Sequence, residues 1–258
     1  MSRYPAYWTA FRTILVKEIL RFARIWVQTV IPPVITTVLY FIIFGNLIGN
    51  KIGEMGGFSY IEFIVPGLIL MSVISHSYAN VVSSFYSSKF QRHIEELLIA
   101  PVPNWVILVG YVGGGVARGL VVGVIVTAVS MFFVDIEINS YAITLLVFVL
   151  TSILFATAGF INAVFANSFD DISIIPTFVL VPLTYLGGVF YSIDMLPTFW
   201  QQVSLANPVL YMINAFRWGI LGVSDIGLGV ALGLIVAFIV LLGSIALWLL
   251  NKGVGIKS

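Results

Sequence analysis

The chain has 258 residues, of which 60% are hydrophobic and only 9% charged, with a formal net charge of +1. A soluble globular protein carries about 25% charged residues, so this much apolar surface requires lipid as its solvent. The near-neutral balance gives no sign of nucleic acid, and none is expected as a partner. The absence of cysteine excludes a disulfide framework, a thiolate metal site and a cysteine nucleophile.

Residues 1–26 lack the continuous apolar core and small-residue cleavage site of a signal peptide. Instead Trp8, Phe11, Leu15, Ile19 and Phe22 recur at helical spacing, with Arg12, Lys17, Arg21 and Arg24 on the other side. That pattern predicts an interfacial amphipathic helix, its aromatic side in lipid and its basic side towards headgroups. A span needs about 20 apolar residues. Six segments qualify, at about 27–49, 58–86, 105–134, 141–166, 172–193 and 226–250. The expected fold is an all-α polytopic membrane protein of one domain, without an internal repeat.

Basic residues orient it. With the N-terminus inside, Arg3, Arg12, Lys17, Arg21, Arg24, Lys89, Arg92, Lys252 and Lys257 are cytoplasmic, against Lys51 and Arg217 outside. Positive charge favours the cytoplasmic side, so both termini are expected there. Several spans contain proline: Pro32 and Pro33, Pro66, and Pro176 with Pro182. Such helices kink, either to line a pathway or as ordinary bundle geometry. Gly115, Gly119 and Gly123 form a smooth stripe that lets helix backbones approach, within one chain or across a dimer seam. Arg118 lies mid-span and needs a partner. Glu62, Asp170 and Asp171 are the acidic candidates for a structural ion pair, with substrate contact as the alternative.

Two polar stretches interrupt the spans. In 89–103, Phe90, Ile94, Leu97 and Leu98 fall on one face of a helix, with Glu95 and Glu96 elsewhere, and Pro101 and Pro103 end it. This predicts an amphipathic cytoplasmic helix, too short to cross, on which an outside agent can push. In 194–222, Asn207-Pro208 is a helix start. Two short helices dipping into the outer half of the membrane are expected there, as a gate or an aromatic collar.

The chain lacks a Gly-x-x-x-x-Gly-Lys-Ser/Thr phosphate loop, so ATP-driven work needs another subunit. His76 and His93 fall on opposite sides of a span and cannot share a metal. No catalytic constellation is visible. The competing reading is an ion-gradient-driven secondary transporter using Arg118 with Glu62, Asp170 or Asp171 as a relay, but the inverted repeat of such carriers is missing.

The basic N-terminus, six spans, Glu95-Glu96-Leu97-Leu98 helix ending at Pro101, and the Leu196-Pro197, Asn207-Pro208, Tyr211 and Arg217 pattern resemble the ABC-2 type transporter permeases over the whole chain. The resemblance implies a homodimer in the bacterial inner membrane. Two copies of a separate soluble ATPase subunit bind ATP and magnesium, with no cofactor on this chain. Export is implied too, since importers carry a different cytoplasmic loop. It assigns Phe90, Ile94, Glu95, Glu96, Leu97, Leu98 and Pro101 to the coupling helix. It assigns Phe178, Pro182, Tyr185 and Phe190 to the pathway. Pro197, Trp200, Asn207, Pro208, Tyr211 and Arg217 fall in the outer short helices. Apolar, aromatic spans fit a small amphiphile, a drug, or a lipid or glycan as substrate.

Overall fold

The computed structural model describes residues 4–99 and 101–255. Arg3 and Lys257 of the topology argument lie outside them, as does the side chain of Leu98.

The chain is helical almost throughout, because only a helix satisfies its own backbone groups away from water. α1 (Tyr4–Arg24) and α2 (Trp26–Tyr40) meet at Ile25, whose ψ of 36° breaks the run. α2 continues through a π-helical stretch, Phe41–Ile48, into the single turn α3 (Gly49–Ile52). A small hairpin, β1 (Glu54–Met55) and β2 (Phe58–Ser59), reverses the chain through Gly56 and Gly57 at φ 61° and 84°. α4 (Tyr60–Phe90) opens with a capping box between Ser59 and Glu62 and absorbs Pro66 without ending. After a turn at Gln91 and Arg92 come α5 (His93–Ile99), α6 (Asn104–Ser130) and α7 (Tyr141–Phe165).

The predicted span at 172–193 takes a different form. α8 (Asp171–Ile175), a π-helical Pro176–Leu180 and α9 (Val181–Tyr185) follow one another as three five-residue segments. At 1.5 Å per residue they reach about 22 Å, short of roughly 30 Å of hydrocarbon. Pro176 and Pro182 supply no N–H, which shifts the hydrogen-bond ladder, and Gly188 at φ 77° turns the chain away. Among the described residues, five helices rather than six are long and apolar enough to cross a membrane. A 3₁₀ turn (Ile193–Met195), α10 (Thr198–Leu205), α11 (Pro208–Leu221) and α12 (Leu228–Lys252) complete the fold. The two short helices expected in 194–222 are α10 and α11.

α4 is the axis of the bundle, packed against α6, α7 and α11. Its most apolar stretch is 67% buried, against 22% for α2 and 17% for α12, so those two helices form the rim. The glycine stripe of α6 is used within the chain. A Cβ at Gly119 would strike Ser77 Oγ of α4, and one at Gly123 would strike the Phe148 ring of α7. Gly119→Val is therefore expected to lower the melting temperature in detergent, at a cost of about 1–3 kcal/mol for overpacking. Gly233→Val, where a Cβ meets nothing within 4 Å, is expected to leave it unchanged.

Candidate functional site

The α5 end of the bundle carries the first cluster. Arg92 sits at φ 60°, a conformation an L-residue adopts at a cost. It changes the helical phase between α4 and α5. Phe90 and Ile94 therefore do not share a face, contrary to the expected continuous stripe. Ile94 is 1% exposed and anchors α5 in the core, and Leu97 packs inward beside Ile14, Val102 and Ile107. The outward face of α5 is His93, Glu95, Glu96 and Ile99, all exposed, followed by exposed Pro101.

Phe90 stays on α4 and joins Tyr86 and Phe169 in an aromatic cluster, with Phe90 and Phe169 rings 5.3 Å apart and both exposed. The loop bearing Phe169 is tied down at both ends. Lys89 Nζ donates to the Val164 and Ala166 carbonyls at 2.8 Å each. Asp171 accepts from the Asn167 and Ser168 amides and the Ser168 hydroxyl. The Ser168 hydroxyl, then the Asn167 amide, hold the Asp171 carboxyl below its ordinary value. Sequence reading missed Phe169 and Ile99. The signal for Phe169 was a lone aromatic in a polar turn between spans.

The second cluster is on α1, where Ile14, Glu18 and Phe22 form a buried stripe one turn apart. Glu18 is fully buried and lies 3.2 Å from Lys17 Nζ and 3.4 Å from Arg21 Nε, and it accepts from Ser84 Oγ at 2.6 Å. Arg21 reaches on to the Asn80 carbonyl at 2.7 Å and its Oδ1 at 2.8 Å. Burial works against the Lys17 ammonium, yet Tyr111 and Glu18 outweigh it and hold its pKa above the ordinary lysine value. The expected N-terminal helix forms over Tyr4–Arg24, and its buried stripe carries an acid. Arg12 and Arg24 are exposed, and so is much of Lys17, but the Lys17 ammonium and the partly buried Arg21 guanidinium both reach the buried carboxylate. Sequence reading passed over Glu18, whose signal was being the single acid in a basic helix. Glu18→Gln leaves two cations facing a neutral amide. Both cations keep part of their water, with 48% and 29% of their side chains exposed, so the cost is that of weakened charged hydrogen bonds, about 1–3 kcal/mol. A lower melting temperature is expected, with Arg12→Gln as the silent control.

The acids expected near Arg118 are elsewhere. Glu62 is engaged at the hairpin end, accepting from the Ser59 amide at 2.8 Å and hydroxyl at 2.6 Å. Asp171 caps its own loop, and Asp170 is exposed beside it. Arg118 itself is 9% exposed, and among the described residues it has no ion pair and its Nε no hydrogen-bond partner. An arginine mid-span costs about 2.5–3.5 kcal/mol even on insertion scales.

At the opposite end, an aromatic cluster closes around Phe190. Its ring lies 4.7 Å from Phe44, 5.6 Å from Tyr40 and 5.8 Å from Tyr185, and its carbonyl accepts from Tyr60 at 3.1 Å. Tyr40 and Tyr185 hydroxyls meet at 3.0 Å. Of the predicted pathway residues, Tyr185 and Phe190 are brought together, Pro182 shapes α9, and Phe178 is 73% exposed away from them. Tyr40 and Phe44 were missed because they come from a distant element.

Arg217, counted above as an outer-face cation, is 1% exposed. It donates to the Gly188 carbonyl at 2.5 Å and lies over the Phe63 ring at 3.9 Å. Asn207 caps α11 through Val209 N and also donates to the Leu183 carbonyl at 2.6 Å, with Pro208 in the first turn. Tyr211 donates to the Leu205 carbonyl at 2.8 Å, while Pro197 precedes α10 and Trp200 is exposed on it. Asp225 accepts from Ile193 N at 3.0 Å, tying the segment to the start of α12. Arg217→Ala removes a desolvated cation–π contact worth about 2 kcal/mol and strands the Gly188 carbonyl. It is expected to lower the melting temperature and speed proteolysis within 186–207.

A polytopic helical bundle with a short helix presented at one end, an inward-held basic helix beside it and a broken helix opposite is the shape of a transport permease. Residues 9–221 match the ABC-2 type transporter family, and the chain belongs to that family. It is 61% identical over 252 residues to the inner membrane transport permease YadH of Escherichia coli strain K12, covering 98% of each chain. It is also 25% identical over 203 residues to Nodulation protein J of Rhizobium meliloti, covering 78% of each chain. Nodulation protein J of Neorhizobium galegae is 24% identical over 217 residues.

Proposed function

We infer that this chain is the membrane subunit of an ATP-driven exporter in a bacterial inner membrane. Two copies enclose a pathway, and two copies of a separate soluble subunit bind and hydrolyse ATP with magnesium. Both termini and α5 face the cytoplasm. The substrate is a small amphiphile, a drug, or a lipid or glycan. The observation that carries the reading is the mounting of α5: its charged face and Ile99 point outward beside Phe90 and Phe169, while Ile94 is clamped in the core.

A force on α5 has a direct outlet into the bundle. Through Ile94 and the short turn at Arg92 it reaches α4, the most buried helix. Leu97 and Ile14 of α1 face one another across a shared groove, which an occupant of that groove would bridge, and α1 is pinned to α4 by Glu18 and Arg21. Closure of the ATPase pair therefore moves α1 and α4 together. At the other end of α4, Tyr60 holds the Phe190 carbonyl, and the Tyr40–Tyr185 contact joins α2 to the broken helix. Motion of α4 and α2 parts this aromatic cluster, which acts as the outer gate. Against the gradient-driven alternative, Glu62 and Asp171 are occupied in caps and Asp170 is exposed beside Asp171, so none of the three forms an ion pair with Arg118 among the described residues.

The test uses side chains that are exposed, so folding is preserved. Phe90→Asp with Phe169→Asp places charges on the docking face, where burying them against a partner costs several kcal/mol. Affinity purification of the tagged chain from its own membranes is expected to recover an ATP-binding subunit with the native chain. At least about a tenfold loss of that subunit is expected for the double variant, at an unchanged melting temperature. Recovery of the subunit in equal amount from both would refute the docking face.

A further inference from the structure

Among the described residues Arg118 is a buried cation with no ion pair and with no hydrogen-bond partner at Nε. Lys17 and Arg21 lie within reach of one buried acid, Glu18, and Arg118 of α6 is close enough to feel the charge of Arg21. Glu18 is already engaged by Lys17, Arg21 and Ser84. The charge that acts on Arg118 is that of another cation, Arg21. Around it the orphaned atoms are donors as well: Arg118 Nε, Asn80 Nδ2 and the Ser77 hydroxyl are all buried without a partner. Their common level is set by α6, where Gly114 and Gly119 bracket Arg118 and abut Asn80 and Ser77 respectively. A group of orphan donors around an unpaired cation calls for an acceptor that carries negative charge.

A crevice lies next to it along α4. One turn along α4 from Asn80 is His76, within electrostatic reach of Arg118. His76 lines a crevice of about 150 Å³ between α2 and α4, with Thr36, Thr37, Tyr40, Ser72 and Ser75. His76 Nδ1 donates to the Ser72 carbonyl at 3.0 Å, which leaves Nε2 of the neutral ring as an acceptor for a hydroxyl. A whole ligand of drug size needs about 300 Å³ or more, so the crevice accommodates a head group and leaves any tail in lipid. α2 is only 22% buried over its apolar stretch, so this wall of the crevice is the loosely held one. The crevice ends at the Tyr40–Tyr185 contact.

We propose that Arg118, with Asn80 and Ser77, binds the anionic head group, phosphate or carboxylate, of a membrane amphiphile that enters between α2 and α4 with its tails in the bilayer. The hydroxyls and His76 further along the crevice then receive the uncharged, hydroxyl-bearing part of the same head group. Which leaflet supplies the amphiphile rests on the orientation inferred above. Binding itself does not, and it is tested on the isolated chain without any ATPase.

The experiment measures lipid retention by native mass spectrometry and melting temperature for the full-length chain in neutral detergent. The probes are phosphatidylglycerol, phosphatidylcholine of the same chains, and inorganic phosphate. Wild type is expected to retain phosphatidylglycerol over phosphatidylcholine by about fivefold or more and to melt higher with it, with no effect of inorganic phosphate. Arg118→Met is expected to lose that preference and that shift, Arg118→Lys to keep most of both, and Arg12→Gln to behave as wild type. Equal retention of the two lipids by wild type overturns the proposal, whatever the variants do. So does an undiminished preference in Arg118→Met, which would place the anion on α1 alone. An equal shift with inorganic phosphate overturns the amphiphile in favour of a free anion. Should Arg118→Met not fold, Arg118→Gln against Arg118→Lys makes the same comparison.

Discussion

A charge carried into a membrane has to bring its partner with it, and around Glu18 this requirement decides where α1 lies. Glu18 is the fully buried acid, and Lys17, Arg21 and Ser84 converge on it from α1 and α4. Arg21 then spans to the Asn80 carbonyl. A helix that would otherwise rest at the interface is thereby bolted to the central helix. Because α1 leads into α2 through a single break at Ile25, the position of the rim helix follows from the same contact.

Close approach of backbones is the second dependency. α6 comes within reach of α4 and α7 only because Gly115, Gly119 and Gly123 present no side chain there. In lipid there is no hydrophobic gain from helix association, so such packing supplies the attraction. The same closeness buries Ser77, Asn80 and Arg118, and the fold satisfies some of their polar atoms and leaves others open. An unsatisfied donor set is costly, which makes it the place to look for something that binds.

Much of the α5 face was legible from residues 89–103 alone: a polar island, two acids, apolar residues at helical spacing and a stop at proline. Which apolar residues face inward was not legible. It turned on one residue, Arg92 at φ 60°, which resets the helical phase between Phe90 and Ile94, and no periodicity count sees a phase reset. Asn207-Pro208 and Gly222 were readable as the ends of α11, because capping is local chemistry. The partnership of Phe190 with Tyr40 and Phe44 was not, since it joins segments about 150 residues apart in sequence.

The sequence by itself determined the solvent, the helical class and most of the spans. Length and hydropathy are properties of a segment, and lipid leaves an apolar segment no choice but a helix. Only the tertiary structure decided the rest. It set the length of the broken helix, where Pro176 and Pro182 shift the ladder and Gly188 turns the chain. It paired Glu18 rather than Arg118, and it brought Arg217 into the interior against Phe63. Charge pairing in a low-dielectric interior depends on distance between elements, and that distance is set by how helices pack, not by any spacing along the chain.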